Sequence, residues 1–254
     1  MILALDTGNT NIVVGVCEEK RILFSARVAT DHQKTEHEYA VFFRNILLMQ
    51  GLDRHKIDGA IISSVVPQLT EILKRAVKIC CEVVPLVVGP GLKTGLNIQI
   101  DNPKQLGSDL VVDAVAALAE YKPPLIVLDL GTASTMSVID KKGNYRGGVI
   151  IPGVRISLDA LASRASQLQN IGLEAPPHVI GTNTVDCMKS GLIYGQASMF
   201  DGMIDRIEEE LGQKATVIAT GGLARPILTH SRKQVIIDDD LLIKGLIIIY
   251  QKNI

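Results

Sequence analysis

The feature that most constrains this chain is a repeat. It opens "MILALDTGNTNIVVGV", an apolar run that drives into Asp6, passes through Thr7, Gly8, Asn9, Thr10 and Asn11, and turns apolar again. The same order returns in "LIVLDLGTASTMSVID", where Leu128-Asp129-x-Gly131 stands in for Leu5-Asp6-x-Gly8. The offset is 129 minus 6, or 123, close to half of the 254 residues. Each copy goes on through an apolar strand, a charged turn and another strand. A repeat of this length predicts two similar domains, each a sheet with its helices, and a cleft between them. The expected boundaries are 1–118 and 119–254, with the last helix free to pack back on the first domain.

Hydrophobic residues make up 47% of the chain and charged residues 21%, enough for a large core. Twenty-six basic against twenty-seven acidic side chains leave a net charge of −1, which argues against a phosphate-coating surface and so against nucleic acid. Cys17, Cys80, Cys81 and Cys187 follow no metal-ligand spacing and read as reduced, buried small hydrophobes. Met1 enters an apolar segment without a basic lead, and Asp6 interrupts that segment too early for a secretory signal. "LIVLDL" and "LLIKGLIIIY" fall well short of the roughly 18 apolar residues a membrane span needs. A soluble, cytoplasmic protein is expected.

Three antiparallel strands open the chain, with "EEK" as the second turn. A helix is expected from Thr35 to Gly51, then a strand "GAIISSVV" stopped by Pro67, an amphipathic helix, and a strand "VVPLVVG". "SDLVVDAVAALAEY" reads as a helix capped by Ser108 or Asp109. Beyond the second repeat, helices are expected over Ile156–Leu168 and from Thr184 to Gly212, where Thr184 is a candidate N-cap. "ATVIATGGLAR" is a short strand entering a glycine pair, and a last strand and helix follow, the helix beginning near Asp238 to Asp240.

A carboxylate at the end of a buried strand is costly unless a cation or hydrogen-bond donors meet it, so Asp6 and Asp129 each require a partner. The glycine two residues on permits a tight turn whose backbone N–H groups can approach a phosphate. Thr132, Ser134 and Thr135 add short polar side chains to the second copy. One Asp-Gly turn is commonplace in hairpins without ligands. Two copies behind the same strand, with a third turn at Gly221-Gly222, point to a nucleotide's phosphates, with Mg²⁺ screening carboxylate from phosphate. The spacing matches neither a P-loop nor a Rossmann fingerprint.

This set resembles the actin, sugar-kinase and heat-shock-chaperone superfamily, whose domains are duplicated ribonuclease-H-like folds. "DTGNTNIVVG", "SSVVP", "DNPKQLGSDL", "DLGTASTMSVID", "GGVIIPGV", "GTNTVDCMKSG" and "ATGGLA", in that order, resemble the type III pantothenate kinases from end to end. The resemblance implies an α/β fold of two such domains, each a mixed sheet flanked by helices, with a nucleotide cleft between them. It also implies ATP-dependent phosphorylation of pantothenate to 4′-phosphopantothenate, the first step toward coenzyme A. The alternatives are a kinase for another small hydroxyl or carboxylate acceptor, or a nucleotide-binding regulator of the same fold with weakened catalysis.

By the same resemblance Asp6, Thr7, Gly8, Asn9, Thr10, Asn11, Ile12 and Val13 bind ATP phosphates, with Asp6 near Mg²⁺ and Thr132 contacting ATP from the second turn. Asp129 matches the position of a monovalent cation, K⁺ or ammonium, while Gly221 and Gly222 lie under the nucleoside. Asp109 is the proton acceptor, flanked by Gly107, Ser108 and Leu110 at the substrate. Thr184 touches pantothenate in the other subunit, which implies a homodimer. Two stretches depart from the pattern: Gly107-Ser108-Asp109-Leu110 stands where many members have Gly-Ala-Asp-Arg, and Ile100 where they have tyrosine. Losing that arginine removes a fixed charge and five donors, which Arg155, Lys104 or Arg164 would have to replace.

Overall fold

A computed structural model describes residues 1–19, 21–165 and 168–254 of the chain. The opening meander is present as β1 (Ile2–Thr7), β2 (Asn11–Glu18) and β3 (Arg21–Ala29), followed by α1 (Glu36–Met49), β4 (Gly59–Ser64), α2 (Pro67–Cys81) and β5 (Leu86–Val87). β1 pairs antiparallel with β2 and parallel with β4, giving the sheet order β3-β2-β1-β4-β5. Thr35 caps α1 in a reciprocal capping box with Glu38. Gly51, just past the helix, has φ +68°, the left-handed backbone that glycine adopts without strain. Pro67 both ends β4's segment and opens α2 at its first turn, where a missing N–H costs nothing.

The second repeat rebuilds the same sheet. β7 (Leu125–Leu130), β8 (Ala133–Ile139), β9 (Asn144–Pro152), β10 (Thr216–Thr220) and β11 (Ile236–Ile237) lie in the order β11-β10-β7-β8-β9, with the short β6 (Asn97–Ile98) added beyond β9. Even a local irregularity recurs, since the register shifts after Val16 in β2 and after Val138 in β8, the sixth residue of each strand. The edge strand β6 is tied by the Asn97 amide to Asn144 at 2.7 Å and by Gln99 N–H to the Tyr145 carbonyl at 2.8 Å.

The helices of the second half are α4 (Val154–Arg164), α5 (Thr184–Leu211), α6 (Ala224–Leu228) and α7 (Leu241–Gln251); α3 (Ser108–Glu120) precedes the second repeat. Lys20 of the expected "EEK" turn, and Ser166 and Gln167 near the end of the expected Ile156–Leu168 helix, lie outside the described residues. Contacts divide the chain into one unit of 1–96, 101–119 and 240–254, and another of 97–100 and 120–239. The first unit's core gathers Leu3, Leu5, Tyr39, Phe43, Leu69 and Leu73; the second's gathers Ile126, Leu128, Leu158, Phe200 and Ile204. α7 lies on β1 and β4, and the missing side chains of Gly15 on β2 and Gly59 on β4 make room for Ile243 and Tyr250.

Among the described residues no helix is long and apolar enough to cross a membrane. Cys17, Cys80 and Cys81 are buried as expected, and burial, with Asp240 nearby, pushes the Cys17 thiol up to about 12. Cys187 departs from the expectation of burial: it sits exposed in the first turn of α5. Leu161 is 43% exposed on α4.

Candidate functional site

In the first unit the apolar side chains of β1 drive Asp6 and Thr7 below the surface, and both are buried. The turn of Gly8, Asn9 and Thr10 is closed by Gly8 N–H to the Asn11 carbonyl at 2.9 Å. Thr30, just past β3, holds it twice. Its N–H donates to the Thr10 carbonyl at 2.9 Å and its hydroxyl donates to the Gly8 carbonyl at 2.7 Å. Asn9, Thr10 and Asn11 are exposed on this fastened turn, whereas Ile12 is fully buried in the core and Val13 half-buried. Thr30 carries no signal of its role in the sequence, because it reaches the turn only through pairing with β2.

Asp109 belongs to the same unit. Asp6 is in register with Ser63 on the neighbouring β4, and Ser63 Oγ lies 3.0 Å from Ser108 Oγ at the first residue of α3. The Ser108 hydroxyl is thus spent on β4, and Asp109 accepts from Leu110 N–H at 2.8 Å. Gly107 leaves the carboxylate its place here, since a Cβ would fall 2.4 Å from Asp109 Oδ1 and push that side chain aside. Burial pushes the Asp109 carboxyl above the usual carboxylate range, against the backbone N–H groups of Leu110 and Asp109 that favour its charged form. No ion pair to Asp109 occurs among the described residues, and Leu110 supplies none. Lys104, Arg155 and Arg164 are exposed side chains.

The second unit carries a shorter turn. Gly131 and Thr132 alone separate β7 from β8, one residue fewer than in the first, with Gly131 N–H bonded to the Ala133 carbonyl at 3.1 Å. Bare backbone packs around it. A Cβ on Gly153 would meet the Thr132 carbonyl oxygen at 2.1 Å, and one on Gly221, at φ +95°, would meet Asp129 Oδ1 at 2.6 Å and the Leu130 N and O at 2.7 Å. The glycine pair after β10 therefore lies directly on the Asp129 turn, because β10 pairs with β7 and sets Thr220 opposite Asp129. Thr132 and Gly222 are exposed.

Several hydroxyls at these strand ends have no protein partner: Thr7 Oγ1, Ser134 Oγ and Thr135 Oγ1 are all buried and unbonded. Such an orphan costs roughly 1–3 kcal/mol, so its occurrence at each of the two turns points to an oxygen-rich ligand at each. No cluster of three or more His, Cys, Asp or Glu occurs among the described residues. One carboxylate with hydroxyls per turn fits Mg²⁺, which keeps waters and takes phosphate oxygens, and equally fits a monovalent cation.

Thr184 begins α5 and is exposed; the N-cap is Asn183, whose side chain accepts from Asp186 N–H at 3.0 Å. The Thr184 hydroxyl is not the cap. Two other serines escaped assignment to the site, Ser63 and Ser64. Their signal was available: like Asp6, they end an apolar strand on polar side chains.

The fold has counterparts among known proteins. The chain covers 98% of its own length and 98% of a ROK hexokinase from Thermus thermophilus at a TM-score of 0.50 and 14% identity, a likeness of fold. It is 48% identical over 254 residues, all of both chains, to a type III pantothenate kinase from Halalkalibacterium halodurans. It is 45% identical to one from Bacillus cytotoxicus, covering 100% of this chain and 97% of that one. The family model for type III pantothenate kinase matches residues 2–206, so the chain belongs to the type III pantothenate kinase family.

Proposed function

We propose that this chain transfers the γ-phosphoryl group of ATP to the terminal hydroxyl of pantothenate, giving 4′-phosphopantothenate for coenzyme A synthesis in the cytoplasm. The observation that carries the reading is its 48% identity, over the full length of both chains, to a type III pantothenate kinase. The half-buried carboxyl at Asp109 supplies the chemistry. A primary alcohol is a poor nucleophile, and a carboxylate in hydrogen-bond reach orients it and takes its proton as the O–P bond forms and ADP leaves. Burial raises Asp109's proton affinity, which suits that task.

The Asp6 to Val13 turn and Thr132 bind the ATP phosphates, Gly221 and Gly222 leave space for the nucleoside, and Gly107, Asp109 and Leu110 line the acceptor, while the Ser108 hydroxyl between them is bonded to β4. Asp6 with Thr7 would hold Mg²⁺, and Asp129 with its hydroxyl neighbours a K⁺ or ammonium ion; both would offset phosphate charge. Rigid turns then contribute chiefly by positioning. Thr184 of each protomer completes the pantothenate site of the other in a homodimer.

An assay with ATP, Mg²⁺ and pantothenate, with and without K⁺ or ammonium, tests the reading by mass detection of phosphopantothenate. ATP binding without product would replace the kinase with a nucleotide-binding regulator, and turnover of a different acceptor would reassign the substrate. Mixing Asp109→Asn and Thr184→Ala proteins tests the dimer, because exchange of subunits should recreate one intact site and partial activity. Failure of subunit-exchanged mixtures to recover activity would remove Thr184 from the shared site.

A further inference from the structure

The Ser108 hydroxyl has all its hydrogen-bonding capacity used. It donates to the Ser64 carbonyl at 3.2 Å, accepts from Ser64 N–H at 3.2 Å, and lies 3.0 Å from Ser63 Oγ, which must then donate to it. One donor and two acceptor sites exhaust a serine. Nothing remains for a substrate. We propose that Ser108 is a positioning residue that sets where the Asp109 carboxyl sits; the proposal rests on the reading of Asp109 as proton acceptor.

The argument is one of connection within the first unit. Ser63 and Ser64 stand in register with Asp6 and Thr7 on adjacent parallel strands. The Ser108 bonds lock the start of α3 to the end of β4, one residue before Asp109. From there the carboxyl folds back onto Leu110 N–H over the side of Gly107 that has no Cβ. The phosphate-binding turn and the proton acceptor are therefore referred to the same pair of strand ends. Displacing a reacting group by about 1 Å costs on the order of a hundredfold in rate, so a tie at this point controls turnover without touching the substrate.

The test is the full steady-state and pH analysis of Ser108→Ala and Ser108→Thr in the full-length protein, with Asp109→Asn alongside. Ser108→Ala should lower kcat about tenfold, as loss of one good hydrogen-bond tie does. The KM for ATP should stay within about twofold. The acid limb of the rate profile should move to lower pH, because a loosened α3 admits water to the carboxyl. Ser108→Thr keeps the hydroxyl and should restore most of kcat and the original limb. A Ser108→Ala enzyme with wild-type kcat and acid limb overturns the proposal, as does a folded Ser108→Thr as impaired as the alanine variant. Wild-type turnover in Asp109→Asn would instead sink the proton-acceptor reading itself.

Discussion

The two Asp-x-Gly turns share a strand order and a pairing scheme, yet they are held by different means. The first is one residue longer and is fastened by side-chain and backbone hydrogen bonds from Thr30. The second is bracketed by Gly153 and Gly221, whose missing side chains let backbone come within contact of it. The first unit also carries the half-buried carboxyl of Asp109 at the start of α3. Hydrogen bonds can be lost one at a time at about 1 kcal/mol each, while an added methyl group in a backbone-to-backbone contact forces the strands themselves to move. Duplication thus produced one turn that degrades gradually and one that fails abruptly.

The largest expected effect separates chemistry from binding. Asp109→Asn should cut kcat by about 10²–10⁴-fold, the usual contribution of a positioned base, with ATP affinity by calorimetry little changed. If ATP affinity falls with kcat, the carboxyl belongs to the nucleotide site. Next, Gly221→Ala and Gly153→Ala should each cost about 1–3 kcal/mol of stability or more through overpacking, and each should weaken ATP binding. Denaturant melts showing either variant as stable as wild type would erase the contrast between the turns. Thr30→Val should be milder, with a loss of about 1 kcal/mol and a several-fold rise in the KM for ATP.

The smallest effect lies in the pH dependence of stability. The folded-state pKa of Asp109 is raised, so its stabilising contribution is full below the unfolded value of about 3.9 and is lost as pH rises through the folded value. Asp109→Asn carries no charge at any pH. Its melting temperature should match or exceed wild type near pH 7 to 8, and the gap should close as pH falls toward 4. A gap that widens on acidification would mean that the native protein stabilises the ionised carboxylate.

Much of the fold was legible because it rests on local pattern. Alternating and continuous apolar runs marked the strands, Thr35 and Gly51 marked the ends of α1, and Pro67 the start of α2. Asp6, Asp129 and the Gly221 pair stood out as polar or bare residues at the ends of buried strands. Ser108 and Thr184 are also cap candidates by pattern, and the pattern cannot separate the cases: a hydroxyl near a helix start has the same sequence signature whether it bonds the helix or another strand, as Ser108 does, or leaves the cap to its neighbour, as Thr184 does to Asn183. Thr30 and Gly153 gave no local sign, since their partners lie on other elements.

The sequence alone determined the duplication, the succession of strands and helices, and the types of residue at each strand end. The tertiary structure decided which of those ends meet. Ser63 stands beside Asp6, and Thr220 beside Asp129, through parallel pairings that join residues far apart in the chain. Hydrogen bonds and steric gaps act over about 3 Å, and the local pattern that makes a strand does not specify which distant strand becomes its neighbour.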